Sequence, residues 1–186
     1  MRVFILNGPP AIGKDTLAAN IGRVFNFPVA MFKTALYEAT AKHFHVSLDY
    51  MTNVATAREF KERPNKYLGD ASPRQALIHV SENVIKPMFG KKFFGLKAVD
   101  FLHKQVILSN NVVFSDGGFP EECECLVEHG FEVHIIQLHH PDVDFSKDSR
   151  NYVDVPGATV HKINVVMGQP MMDVSNFINI VESLDQ

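Results

Sequence analysis

Nine residues near the start of the chain, Gly8-Pro9-Pro10-Ala11-Ile12-Gly13-Lys14-Asp15-Thr16, have the types and spacing to hold a run of phosphates. Four residues between two glycines, then lysine, let the backbone wind into a nest of converging N–H groups, with Lys14 able to reach the outer phosphates. Gly8, Ala11, Ile12, Gly13, Lys14, Asp15 and Thr16 are therefore the expected contacts to a nucleotide's phosphate chain. One letter departs from the pattern: Asp15 stands where a Ser or Thr hydroxyl normally meets a metal ion.

Asp116 ends the apolar run Val112-Val113-Phe114, as does the acid that holds the magnesium shell beside such loops. Asp15 and Asp116 are accordingly expected to hold a Mg2+ ion through its waters, while Thr16 meets an inner phosphate. A plain turn aspartate before Gly117-Gly118 and a first-turn helix acid remain open for these two residues. Ser72-Pro73-Arg74-Gln75 reads as a capping box with proline at the first helical position. Arg74 then lies where the helix dipole disfavours a cation, a conflict that a bound phosphate would resolve and a solvated arginine would tolerate. The polar stretch 139–158 holds Lys147 and Arg150 among Asp142, Asp144 and Asp148. Its length suits a lid that brings Arg150 to a transferring group, and a local ion pair explains the arginine equally well. His43, His45, His139 and His140 read as surface or internally satisfied histidines, because metal-assisted phosphoryl transfer needs no such base.

The elements that must position these groups follow from periodicity. Val3-Phe4-Ile5-Leu6 is a buried strand running into the loop, and Leu17, Ile21, Val24 and Phe25 mark the helix after it. Residues 27–32 suggest a short second strand with Lys33 just beyond it. Helical stretches are expected near 34–45, 48–61, 73–89 and 92–105, the third with a core stripe of Leu77, Val80, Val84 and Met88. Strands recur at 112–114, 133–138 and 160–166, and Val174, Phe177, Ile178, Val181 and Leu184 mark a closing helix. This alternation predicts an α/β fold of three layers, α/β/α, with a mostly parallel sheet and a helical insertion over about 34–105. In such sheets ligands sit beyond the carboxyl ends of the strands, where Lys33, Asp116 and the glycine loop all fall.

A chain of 186 residues, 46% hydrophobic, suits one domain with a core at 1–33 and 106–186. Its net charge of −3, without a basic stripe, points away from nucleic acid and toward small anions. Cys123 and Cys125, one residue apart in a predicted helix, read as packed or surface thiols rather than a disulfide or zinc site. With no basic leader and no long apolar segment, a cytoplasmic location without a membrane partner is expected.

Gly13-Lys14-Asp15-Thr16, Ser72-Pro73-Arg74-Gln75-Ala76-Leu77, Phe89-Gly90, Ser115-Asp116 with Phe119-Pro120-Glu121, and Asn164 occur in an order that resembles the bacteriophage deoxynucleoside monophosphate kinases. The resemblance spans most of the chain. It implies the P-loop kinase fold and transfer of the γ-phosphate of ATP to a deoxynucleoside monophosphate. Lys14 would bind donor phosphates, Arg74 the acceptor phosphate and Asp116 the Mg2+ shell, with Lys33, Lys86 and Phe119 around the acceptor. Gly118 and Lys86 stand where the family has arginines, so the acceptor contacts should differ. Location would then be the host cytoplasm and the partners small nucleotides; a homodimer is left open.

Two other readings stay open at this level. The same scaffold serves kinases of other small metabolites. A module that binds a nucleotide without turning it over would also keep the loop. Stacking aromatics would favour a nucleotide acceptor, and Phe32, Tyr37, Phe89, Phe93 and Phe119 are available, although core packing is the commoner fate of phenylalanine.

Overall fold

A computed structural model of the chain describes residues 1–57, 59–105, 108–117, 119–146 and 150–186. In chain order the elements are β1 (Arg2–Asn7), α1 (Lys14–Phe25), β2 (Val29–Ala30), α2 (Lys33–His43), α3 (Leu48–Thr56), α4 (Pro73–His79), α5 (Lys86–Phe89), α6 (Phe93–Gln105), β3 (Asn111–Gly117), α7 (Pro120–Glu128), β4 (Glu132–His139), β5 (Thr159–Asn164) and α8 (Pro170–Leu184). Two compact units result, Met1–Phe32 with Ala98–Gln186, and Lys33–Lys97.

In the first unit five strands form one parallel sheet in the order β2-β3-β1-β4-β5. Because successive strand side chains point to opposite faces, β1 feeds both layers of core. Val3 and Ile5 pack with Val112, Phe114, Val133 and Ile135 beneath α6 and α7, through Val99, Leu102, Cys123 and Leu126. Phe4 and Leu6 face the other way, with Val113, Ile136 and Leu138, against Leu17 and Ile21 of α1 and Val174 and Phe177 of α8. This is the three-layer α/β/α arrangement of P-loop proteins. Both cysteines are fully buried in α7, and burial together with the neighbouring acids Glu122 and Glu124 pushes the Cys123 thiol far up.

The expected second strand shrinks to Val29–Ala30, paired with Val113 and Phe114. β3 is longer than its apolar run: the strand continues through Ser115 and Asp116, and pairing with β1 resumes at Gly117. Ile5 faces Phe114 whereas Asn7 faces Gly117, so β3 has one extra residue at Ser115-Asp116. A bulge of this kind re-aims side chains at the end of a strand.

The second unit is helical. Tyr37, Ala41, Met51, Ala55, Leu68 and Ala76 form one small core, and Val80, Ile85 and Phe94 another. The expected continuous helix over 73–89 is instead α4, a π-turn at Val80–Ile85, and α5. One added residue rotates the following side chains by about 100°. After Ala76 and Val80 it is therefore Ile85 that is buried, while Val84 is only partly buried and Met88 stands 70% exposed. Among the described residues no helix is long and apolar enough to cross a membrane.

Candidate functional site

β1 delivers the chain to Gly8 at the carboxyl edge of the sheet. Glycine suits the close approach there, since a Cβ would sit a tight 3.1 Å from the Leu138 carbonyl oxygen and 3.2 Å from the Ile12 side chain. Ile12, only 1% exposed, sinks into the core beside Leu6 and Leu17 and anchors the loop, so its side chain is structural and only its backbone can face a ligand. Ala11 and Gly13 both have positive φ, 66° and 98°. The left-handed residue at Gly13 opens the N-terminus of α1, whose first hydrogen bond runs from Leu17 N–H to Gly13 O at 2.9 Å. Alanine in that region is strained, and such strain gathers where backbone is shaped for a ligand. Lys14 Nζ curls over the loop and donates to the carbonyls of Gly8 and Pro9, each at 2.7 Å. Asp15 and Thr16 follow, exposed, in the first turn of α1.

Asp116 is re-aimed by the β3 bulge and only 9% exposed, and its Oδ1 accepts the Phe32 N–H at 2.8 Å. Phe32 in turn stacks on Phe114 at 4.5 Å, so the carboxylate is fixed to the chain leaving β2. Among the described residues no group of three His, Cys, Asp or Glu could by itself hold a metal. Two carboxylates with phosphate oxygens and water are nonetheless a donor set that suits Mg2+, which seldom uses an all-protein cage. Phe119, 43% exposed, caps α7 with extended backbone ahead of Pro120. Gly118, Lys147 and Asp148 lie outside the described residues.

The stretch 139–158 is not a loop throughout. His139 belongs to β4, and Val153 and Val155, each 2% exposed, are core residues. Arg150 is partly buried just ahead of this anchored segment. Three features here were not legible in the sequence. Asn7 Oδ1 accepts the Val153 N–H at 2.9 Å, and its Nδ2 donates to Gly117 O at 3.1 Å and Asn151 O at 3.4 Å. Gln137 Nε2 donates to Val153 O at 3.0 Å. Tyr152 donates its hydroxyl to Leu138 O at 2.9 Å while its ring stacks on His139 at 4.2 Å. His139 is thus a packing residue, and burial followed by the nearby Lys162 holds it below its ordinary value. A further pair, also unread, joins β4 to β5: His134 Nδ1 and His161 Nε2 lie 3.1 Å apart, with Glu132 on the far nitrogen of His134.

In the helical unit the capping box forms as the spacing predicts, with Gln75 N–H donating to Ser72 Oγ at 3.3 Å and Ser72 N–H to Gln75 Oε1 at 2.9 Å. Arg74 resolves its conflict with the dipole locally, since its guanidinium reaches Glu62 at 3.3 Å with both side chains largely exposed. Lys86 pairs with Glu82 at 2.5 Å along one helical face. Burial raises Glu82, but hydrogen bonds from Lys86 and Ser81 outweigh it and leave the carboxyl below its usual range. Lys33 opens α2.

No family model and no curated protein matches the chain. Among solved structures it is similar to dephospho-CoA kinase from Campylobacter jejuni, at 11% identity over all of both chains with a TM-score of 0.51. A shikimate kinase from Bacteroides thetaiotaomicron aligns at 16% identity over 98% of each chain with a TM-score of 0.42. At such identities the likeness to the dephospho-CoA kinase is one of fold, and it agrees with the three-layer P-loop architecture described above.

Proposed function

We propose that the chain is an ATP-dependent phosphotransferase that passes the γ-phosphate to a deoxynucleoside or ribonucleoside monophosphate. The observation that supports the donor half is the loop itself: left-handed Gly13 at the head of α1, with Lys14 held across the Gly8 and Pro9 carbonyls. A triphosphate entering that nest meets helix N–H groups and offers Lys14 stronger acceptors than the carbonyls it now holds. The order of the capped Ser72-Pro73-Arg74-Gln75 segment and Asp116 along the chain supports a nucleotide acceptor, by the resemblance to phage kinases.

In this reading an acceptor phosphate oxygen forms a bond to the γ-phosphorus as the bond to the β–γ bridging oxygen breaks, and ADP leaves. Catalysis is mainly positioning and charge neutralisation. Lys14 holds the donor phosphates, Arg74 the acceptor phosphate, and Arg150 the transferring group. Lys33 and Lys86 add positive charge, while Phe119 offers an exposed ring to a base. Asp15 and Asp116 would hold Mg2+ through its waters, and a bound Mg2+ would supply neutralisation of the charge on the phosphate oxygens.

The test is ADP formation from ATP and Mg2+ across the deoxynucleoside and ribonucleoside monophosphates, with dephospho-CoA and shikimate as competing acceptors. ADP that appears only with a monophosphate supports the proposal. A second reading, a kinase for another small metabolite, is favoured by the ion pairs that already occupy Arg74 and Lys86, and it predicts ADP only with a different acceptor. Tight ATP binding without ADP under any condition would reject both and leave a binding module.

A further inference from the structure

We propose that Asn7 and Gln137 are positioning residues that set Arg150 beside the phosphate loop. The inference rests on the donor half of the reading above. Asn7 and Gln137 are direct neighbours across β1 and β4, and they are 1% and 6% exposed. Their side-chain amides take the two backbone groups of one residue, Val153: Asn7 accepts its N–H at 2.9 Å and Gln137 donates to its carbonyl at 3.0 Å. Asn7 also reaches Asn151 O, and Tyr152 between them is tied to Leu138 O. Residues 151, 152 and 153 are therefore all fastened to the carboxyl ends of β1 and β4.

Apolar side chains alone would hold this segment as well as Val153 and Val155 already do. What amides add is register. A slip of one residue would take Val153 away from the buried Asn7 Oδ1 and Gln137 Nε2, a cost borne by each group left unpaired, although Asn7 Nδ2 would keep Gly117 O. The clip therefore fixes Arg150 at one place along the segment. Arg150 is one residue before Asn151, and Asn7 is one residue before Gly8, so the hydrogen bond between Asn7 and Asn151 ties the arginine's backbone to the root of the phosphate nest. Arg150 thus stands at the end of a segment fastened at residues 151, 152 and 153.

The test is a double-mutant cycle read first by ATP·Mg2+ affinity in calorimetry and second by kcat. Gln137→Leu removes the donor to Val153 while keeping bulk, and Gln137→Met is the alternative should the first fail to fold. Deuterium uptake over 151–155 should rise in either variant while uptake over 14–25 stays unchanged. Gln137→Leu and Arg150→Ala should each weaken ATP at least fivefold, and the double variant should bind within twofold of Arg150→Ala alone. Independent, multiplying losses, or a Gln137→Leu protein with ATP affinity within twofold of the parent, would overturn the positioning role. Should the parent bind ATP yet form no ADP with any acceptor, the phosphotransferase reading falls while the affinity cycle still decides this one.

Discussion

Replacing Lys14 with methionine separates the loop's fold from its proposed chemistry. Without ligand, the ammonium makes two charge-assisted bonds to the Gly8 and Pro9 carbonyls, at the partly exposed mouth of the loop where water can substitute. Methionine keeps the stem, Ile12 still anchors the loop in the core, and α1 keeps its hydrogen bond to Gly13. The stability loss should be about 1 kcal/mol, or roughly 2–4 °C in Tm for a chain of this size. With a triphosphate in place the same ammonium faces phosphate charge in a drier cleft. One unit charge at about 4 Å and an effective dielectric of about 20 is worth ~4 kcal/mol, which is about a thousandfold in kcat/KM. Lys14→Met should thus lose about three decades in ADP formation while melting close to the parent. Activity within tenfold of the parent in a folded variant would refute the role of Lys14. A large fall in Tm would refute the claim that Ile12 and Gly13 hold the loop without it.

Three further outcomes follow from the geometry. Asp116→Asn keeps an oxygen for the Phe32 N–H, so Tm should hold, but ADP formation should fall at least a hundredfold and need more Mg2+, as a Mg2+ titration would read; an unchanged titration would reject the acid's role. Glu62→Gln releases Arg74 from its ion pair and should lower KM for the acceptor severalfold without changing KM for ATP; no change would argue that Arg74 does not meet the acceptor. Burial, followed by His134, holds His161 below its ordinary 6.5, so the unfolded chain takes up a proton more readily. The stability this contributes is full above about 6.5 and is lost as pH falls below it. Urea midpoints should drop between pH 7.5 and 5.5, and His161→Asn should flatten part of that drop.

The order of strands and helices was legible because apolar runs and helical spacing are local signals. The phosphate loop was legible because its chemistry lies within consecutive residues. Even the capping box at Ser72 could be read, since its partners are three residues apart. The failures share a cause. The π-turn at Val80–Ile85 is one added residue with no sequence mark, and it turned Met88 outward where unbroken helical spacing had placed it in the core. The extra residue in β3 was hidden the same way. Val112 to Phe114 announced a strand, but only pairing with β1 shows that Ser115 and Asp116 continue it and that the bulge aims the carboxylate.

Asn7 marks the limit most clearly. It reads as the polar end of an apolar strand, and its partners Asn151 and Val153 are 144 and 146 residues away. Nothing in a local pattern distinguishes a buried amide that fixes a distant segment from one that faces water. The cations proposed for an acceptor fail in the opposite direction. Arg74 looked like a residue in need of an anion, and the helical unit supplies one in Glu62. That pairing is compatible with the acceptor role proposed for Arg74, because a largely exposed ion pair is worth about 0–1 kcal/mol, whereas a phosphate offers a guanidinium two parallel, charge-assisted bonds. The dipole conflict that first singled out Arg74 therefore no longer supports the proposed acceptor role; the exposed pair with Glu62 is compatible with that role, and the Glu62→Gln variant is what decides it.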